Sequence, residues 1–189
     1  MEARVVSNTG AYPIGKHGND EMTQKNRSGK TNAVRMLDKH DINYELRFYE
    51  VDEHDLSADH VARAINLPPS QVFKTLVVHG NRSGILLACI PSDAELDVKA
   101  LARISGNKRA DLVPVKEINA LTGYVRGGVS PVGTKKRFPV YIDSSAFRFD
   151  VISVSAGIRG CQMLVNPDDL SRILNGERAE IKKTRNVEE

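Results

Sequence analysis

Cysteine is scarce in this sequence: only Cys89 and Cys161 occur among its 189 residues. They form no Cys-x-x-Cys pair and no histidine cluster stands beside them, which excludes a recognisable zinc site. Both sit inside apolar segments and read as buried structural thiols. Long apolar runs are missing as well. No stretch approaches the roughly 18 to 20 uninterrupted residues that cross a bilayer, and the polar start Met1–Gly10 lacks the apolar core of a secretory signal. A cytoplasmic location is therefore expected. Neither sign of charge dominates, since 27 Lys and Arg against 24 Asp and Glu leave a net charge of +3. Composition by itself names no nucleic-acid partner.

Several common chemistries are absent too. Ser28-Gly29-Lys30-Thr31 resembles the close of a phosphate-binding P-loop, but Gln24 stands where that motif needs glycine and no apolar strand precedes it. There is no dinucleotide fingerprint and no Gly-x-Ser-x-Gly elbow. His40, His54, His60 and His79 all precede the later serines without a triad pattern, and His17 lies in the N-terminal extension. A covalent serine mechanism is therefore not expected. No internal repeat is present.

What is there is one domain's worth of core, with 40% hydrophobic residues. Residues 1–29, rich in Gly, Asn, Ser and charge, are expected to form a disordered or appended extension. Residues 30–183 form the domain and 184–189 a charged tail. Local basic groups at Lys108-Arg109, Lys135-Lys136-Arg137 and Lys182-Lys183 are either solvated surface or phosphate contacts.

Within the domain, Ala33, Met36, Leu37 and His40 share one face of a helix ending near Asp41. A strand over Tyr44–Glu50 follows, with Tyr44, Leu46 and Phe48 alternating against Glu45, Arg47 and Tyr49. Ser57 caps a helix to about Asn66, stopped by Pro68-Pro69. Strands Val72–His79 and Ile85–Ile90 flank the turn residues Gly80–Gly84 and predict a hairpin. Asp97 caps a helix carrying Val98, Leu101 and Ala102, and Pro114 opens another that ends at Gly123. Short strands fit Val140–Asp143, Val151–Ser155 and Gln162–Val165. A last helix is capped by Asn166, with Pro167 at its first position and Gly176 past its end. The irregular mixing of elements predicts a mixed α/β (α+β-like) domain rather than a repeated βαβ array.

The residues that can carry chemistry fall in separate segments. Lys74 shares a strand face with Val72, Leu76 and Val78. Either it is an edge lysine reaching water, or it is a pocket lysine whose ammonium holds a carbonyl or phosphate, or which acts as a base where desolvation lowers its pKa. In Gly123–Gly133 the pair Gly127-Gly128 lets the backbone approach a ligand and turn amides toward an oxyanion, with Ser130 and Pro131 following; a tight turn is the plain alternative. In Ser155-Ala156-Gly157-Ile158-Arg159-Gly160, a hydroxyl and a guanidinium follow an apolar strand. Arg159 suits bidentate phosphate recognition, or is a solvated turn residue.

Together, Val72–Leu76, Gly123–Gly133, Lys135–Arg137 and Ser155–Gly160, in this order and spacing, resemble the YbaK/EbsC family. The resemblance covers about residues 31–183, and the family includes the editing domain inserted in bacterial prolyl-tRNA synthetases. It implies a mixed α/β fold with a central barrel-like sheet and removal of wrongly attached amino acid from tRNA. Cys-tRNA(Pro) is the leading substrate, with Cys-tRNA(Cys) beside it. Such correction is needed because a synthetic pocket built for a small side chain rejects similar ones weakly. The implied partners are the acceptor end of mischarged tRNA and prolyl-tRNA synthetase; no cofactor, metal or membrane is implied.

The family's essential lysine falls on Lys74 and its pocket glycine on Gly127, the expected catalytic pair. Its strand tyrosine falls on Tyr49 and its serine on Ser155, with Gly128, Ser130, Gly157, Arg159 and Gln162 as further substrate-binding positions. In this branch the substrate's own thiol is expected to attack its ester, giving a cyclic thiolactone, whereas branches that remove alanine need water. Gln162 departs from the aspartate common in the YbaK branch, which opens the amino-acid preference. A deacylase for another amino acid such as alanine and a non-catalytic nucleotide- or aminoacyl-tRNA-binding regulator are the alternatives.

Overall fold

The structure, a computed structural model, describes residues 30–55 and 57–183. The expected N-terminal extension and the charged tail lie outside the described residues. In chain order the elements are α1 (Asn32–Lys39), β1 (Tyr44–Phe48), α2 (Ala58–Ala64), β2 (Phe73–Gly80), β3 (Gly84–Pro91), α3 (Val98–Ile104), β4 (Ala110–Leu112), α4 (Val115–Thr122), β5 (Val140–Asp143), β6 (Ile152–Ser155), β7 (Cys161–Val165), α5 (Pro167–Leu174) and β8 (Glu177–Ala179). Short 3-10 turns occupy Pro69–Gln71 and Ser144–Arg148. The strands form two sheets, an antiparallel one ordered β1-β7-β6 and a mixed one ordered β4-β2-β3-β5-β8. An isolated bridge from Val72 to Ser153 joins them. Among the described residues the two sheets do not close into a single barrel.

Local signals set most boundaries. Thr31, Ser57, Asp97 and Asn166 each accept a hydrogen bond from a first-turn amide of the helix they cap, satisfying donors that a helix start leaves open. Gly123, at φ 84°, ends α4 in the left-handed region. At the end of α5 that position belongs to Asn175, at φ 48°, rather than to Gly176. In α1 the buried face is Ala33, Val34 and Leu37, while His40 is an exposed cap residue instead of a core one.

The main core lies between the two sheets, where Phe73 and Val77 of β2 meet Ile152 and Val154 of β6 and Met163 of β7, with Leu37 of α1 and Leu170 of α5 closing the ends. The opposite face of the mixed sheet packs Val78, Leu86, Ala88 and Ile90 against Leu101 and Ala102 of α3. β3 is thus covered on both sides, which is why its sequence is a continuous apolar run rather than an alternation. α2 lays Val61, Ala62 and Ile65 on the outside of the antiparallel sheet, and Tyr49 packs there. Tyr44, Leu46 and Phe48 face the main core, as their alternation predicts. Among the described residues no helix is long and apolar enough to cross a membrane.

Candidate active site

The site begins with the way the neighbours of β2 end. β3 pairs with it along its whole length, but β4 pairs only with Val78, His79 and Gly80. The Val113 amide donates to the Val77 carbonyl at 2.9 Å, the last contact on that side. At the far end Val72 bridges Ser153. Between these points, among the described residues, the open side of β2 has no strand partner, and a cleft of about 460 Å³ lies along it. That is the size of a small-molecule site.

Lys74 lines this cleft. Its Nζ donates to the Ser92 carbonyl at 3.0 Å. Ser92 is itself fixed, its amide donating to the Val72 carbonyl at 2.7 Å and its hydroxyl to the Pro69 carbonyl at 2.9 Å. Burial holds the Lys74 ammonium below its ordinary pKa of 10.5, while the charges of Asp59, Asp93 and Glu95 work in the opposite direction. The lysine is therefore half-buried with one anchored acceptor, and its remaining donors are available to a ligand.

The glycine-rich segment forms the facing wall. Tyr124 ties it down, accepting no freedom at either end: its amide donates to Thr122 Oγ1 at 3.0 Å and its hydroxyl to the Val132 carbonyl at 2.7 Å. Gly127 adopts φ 84° and lines the cleft. The Gly128 amide donates to the Val125 carbonyl at 2.9 Å. It is thereby spent on the turn. Gly128 has a packing role instead, because a Cβ there would lie 3.1 Å from both the Arg159 amide nitrogen and the Ile158 carbonyl carbon.

The Ser155–Gly160 segment braces that wall from behind. Arg159 Nε donates to the Arg126 carbonyl at 2.9 Å, and its Nη1 pairs with the Glu53 carboxylate at 2.8 and 3.1 Å. The Gly157 amide donates to Ser155 Oγ at 3.2 Å. The Tyr49 amide donates to the Gly160 carbonyl at 2.9 Å. Ser155 and Gln162 face each other across β6 and β7 and both line the cleft. Gln162 Oε1 accepts from the Ser153 hydroxyl at 3.2 Å, an orientation a neutral amide keeps without a buried charge.

Four of the expected positions therefore converge: Lys74, Gly127, Ser155 and Gln162. Tyr49, Gly128, Ser130, Gly157 and Arg159 are not in the lining. Ser130 is fully buried and its Oγ accepts from the Val132 amide at 3.2 Å, so it holds the loop's shape. Sequence reasoning missed Thr75, Arg126 and the apolar wall of Val113, Val115 and Ile118. Arg126 was signalled only by its place beside Gly127. Neither thiol is a nucleophile in waiting: burial pushes Cys89 and Cys161 up to about 12, leaving both protonated.

Known proteins sharpen the picture. Residues 52–173 match the family model described as the aminoacyl-tRNA editing domain. The chain is 42% identical over 160 residues to EbsC of Enterococcus faecalis, a protein named for deacylating Cys-tRNA(Pro) and Cys-tRNA(Cys), covering 85% of this chain and 98% of that one. It is 30% identical over 115 residues to ProXp-y of Escherichia coli K12, named a multifunctional Ser/Thr-tRNA deacylase, covering 59% of this chain and 69% of that one. A solved structure described as a trans-editing enzyme for prolyl tRNA synthetase superposes with a TM-score of 0.70 at 22% identity, over 81% of this chain and 96% of the other. That likeness bears out the mixed α/β fold.

Proposed function

This chain belongs to the aminoacyl-tRNA editing domain family, and from that premise we propose that it is a trans-acting deacylase that cleaves the ester of mischarged tRNA, Cys-tRNA(Pro) first and Cys-tRNA(Cys) second. The carrying observation is the convergence of Lys74, Gly127, Ser155 and Gln162 on one cleft. The close likeness to EbsC supports the cysteinyl substrate.

Ester cleavage needs a polarised carbonyl, a nucleophile and a stabilised leaving oxygen. Lys74 Nζ, held by Ser92, positions the ester or the adjacent phosphate, and the Gly127 amide supports the carbonyl oxygen as it gains charge. With a cysteinyl substrate the thiol sulfur bonds to the carbonyl carbon and the bond from that carbon to the ribose oxygen breaks. The thiol proton ends on the ribose oxygen, and the products are a cyclic thiolactone and free tRNA. No protein nucleophile is consumed, in keeping with the protonated, buried Cys89 and Cys161. Hydrolysis by water is the second reading, favoured by Gln162 in place of a carboxylate and by the likeness to ProXp-y; it widens the substrates to residues without a thiol. A cytoplasmic setting follows from charged tRNA as substrate. Docking to prolyl-tRNA synthetase fits the fold shared with a trans-editing enzyme.

The test incubates the protein with tRNAs charged with cysteine, alanine or serine, matched and mismatched, and follows ester loss beside Lys74→Ala. Loss of cysteine that stops when the thiol is blocked supports cyclisation, and continued loss supports water. No turnover on any substrate leaves a binding regulator as the reading and ends the enzyme proposal.

A further inference from the structure

The cleft is larger than an aminoacyl group needs, and the part of its lining that the ester chemistry does not use has a definite character. On one rim stand Leu112 and Val115, 56% and 55% exposed although both are large and apolar. They bracket the turn between β4 and α4, so the first is held by pairing with Val78 and the second by the start of the helix. On the glycine-loop side stands Arg126. Its carbonyl is taken by Arg159, but its exposed guanidinium has no hydrogen-bond or ion-pair partner among the described residues. The lining holds two cations, Lys74 and Arg126, and no carboxylate.

An exposed apolar rim beside an unpaired guanidinium matches a ligand that is flat and apolar on one face and anionic at one end. Resting on the deacylase reading, we infer that Leu112 and Val115 form a shelf for the terminal adenine base of tRNA and that Arg126 binds the phosphate on the 5′ side of that adenosine. Arg126 is then a binding residue outside the bond-breaking set. It fixes the register of the acceptor end so that the ester reaches Lys74 and Gly127. A guanidinium suits this position because it offers paired donors to two phosphate oxygens, and Gly127 at φ 84° gives the chain its turn directly after it.

The experiment compares cysteinyl-tRNA with cysteinyl-adenosine, which carries the base and ester but no 5′ phosphate. For Arg126→Ala the ratio of kcat/KM on tRNA to that on cysteinyl-adenosine falls about ten-fold, through KM, as loss of one charged hydrogen-bonded contact does. Arg126→Lys recovers part of it. The salt dependence of KM on tRNA becomes shallower by about 0.7 in log-log slope. Leu112→Ser combined with Val115→Ser weakens both substrates, since the base is common to them. An unaltered ratio for Arg126→Ala, or a double variant that affects neither substrate, overturns the inference. If wild-type protein cleaves no charged tRNA, the deacylase reading fails separately. The shelf is then judged by titrating AMP and adenosine while following backbone amide shifts: tighter AMP binding that Arg126→Ala abolishes supports it, and equal binding overturns it.

Discussion

The two halves of β2 behave differently although they are one strand. From Val77 to Gly80 it is covered on both edges, by β3 and by β4 with the Val113 amide. From Phe73 to Leu76 only β3 remains, and the cleft takes the other edge. The paired half carries Val78, fully buried against α3, and the open half carries Lys74 on the same face. A charged side chain is thus brought to the cleft by stopping the sheet's neighbours early rather than by adding a loop. One half gives rigidity and the other gives access, with no break in the strand between them.

Substitutions in the two halves should separate activity from stability. The largest expected effect is Lys74→Ala, which lowers deacylation of charged tRNA by about a hundred-fold, the scale for losing a preorganised electrostatic group. It leaves the melting temperature nearly as it was, because the side chain is only half-buried. Next comes the mirror case, Leu86→Ala, in the strand opposite Val78 and fully buried. Chemical denaturation should show a loss of roughly 2–5 kcal/mol, with activity per folded molecule retained. Equal losses of activity in the two variants would erase the distinction between the halves.

The legible part of the molecule is the part fixed by nearby residues. Gly80–Gly84 between two apolar runs gives the β2–β3 hairpin, and Ser57, Asp97 and Asn166 give three helix starts, because caps and turns act over a few residues. β4 and β8 were missed. Ala110–Leu112 and Glu177–Ala179 are three residues each, too short for a periodic pattern to stand out, and are strands because β2 and β5 offer them partners. In the site, Lys74 and Gly127 stand out by residue type, whereas the apolar wall of Val113, Val115 and Ile118 looks in sequence like ordinary core. The spent amide of Gly128 was equally hidden, since it depends on the turn made by Val125.

Gly128→Ala sharpens the comparison from the facing wall. Its new Cβ would sit 3.1 Å from two backbone atoms of Ile158 and Arg159, which cannot rotate away. Overpacking of this kind costs about 1–3 kcal/mol. Because the displaced segment carries Gly127, kcat should fall as well, unlike in Leu86→Ala. Thermal melting and single-turnover rates measured on the same sample check both effects; a melting shift with an intact rate would detach Gly128 from the cleft.

The smallest effect concerns protonation. Burial lowers the Lys74 pKa in the folded protein below the 10.5 of an exposed lysine. As pH rises, the folded state then releases this proton before the unfolded state does. Between the two values the unfolded chain binds more protons, so this residue's contribution to stability increases with pH. Activity is expected to move the other way, because the ammonium proposed to position the ester is lost as pH passes through the lowered value. A carbon-detected NMR titration of the Lys74 side chain should show a midpoint below 10.5, with the enzymatic rate above background declining over the same interval. A midpoint at the value of an exposed lysine would mean that the open half of β2 is wetter than its geometry indicates, and Lys74 would then resemble the edge lysine that strand alternation alone allows.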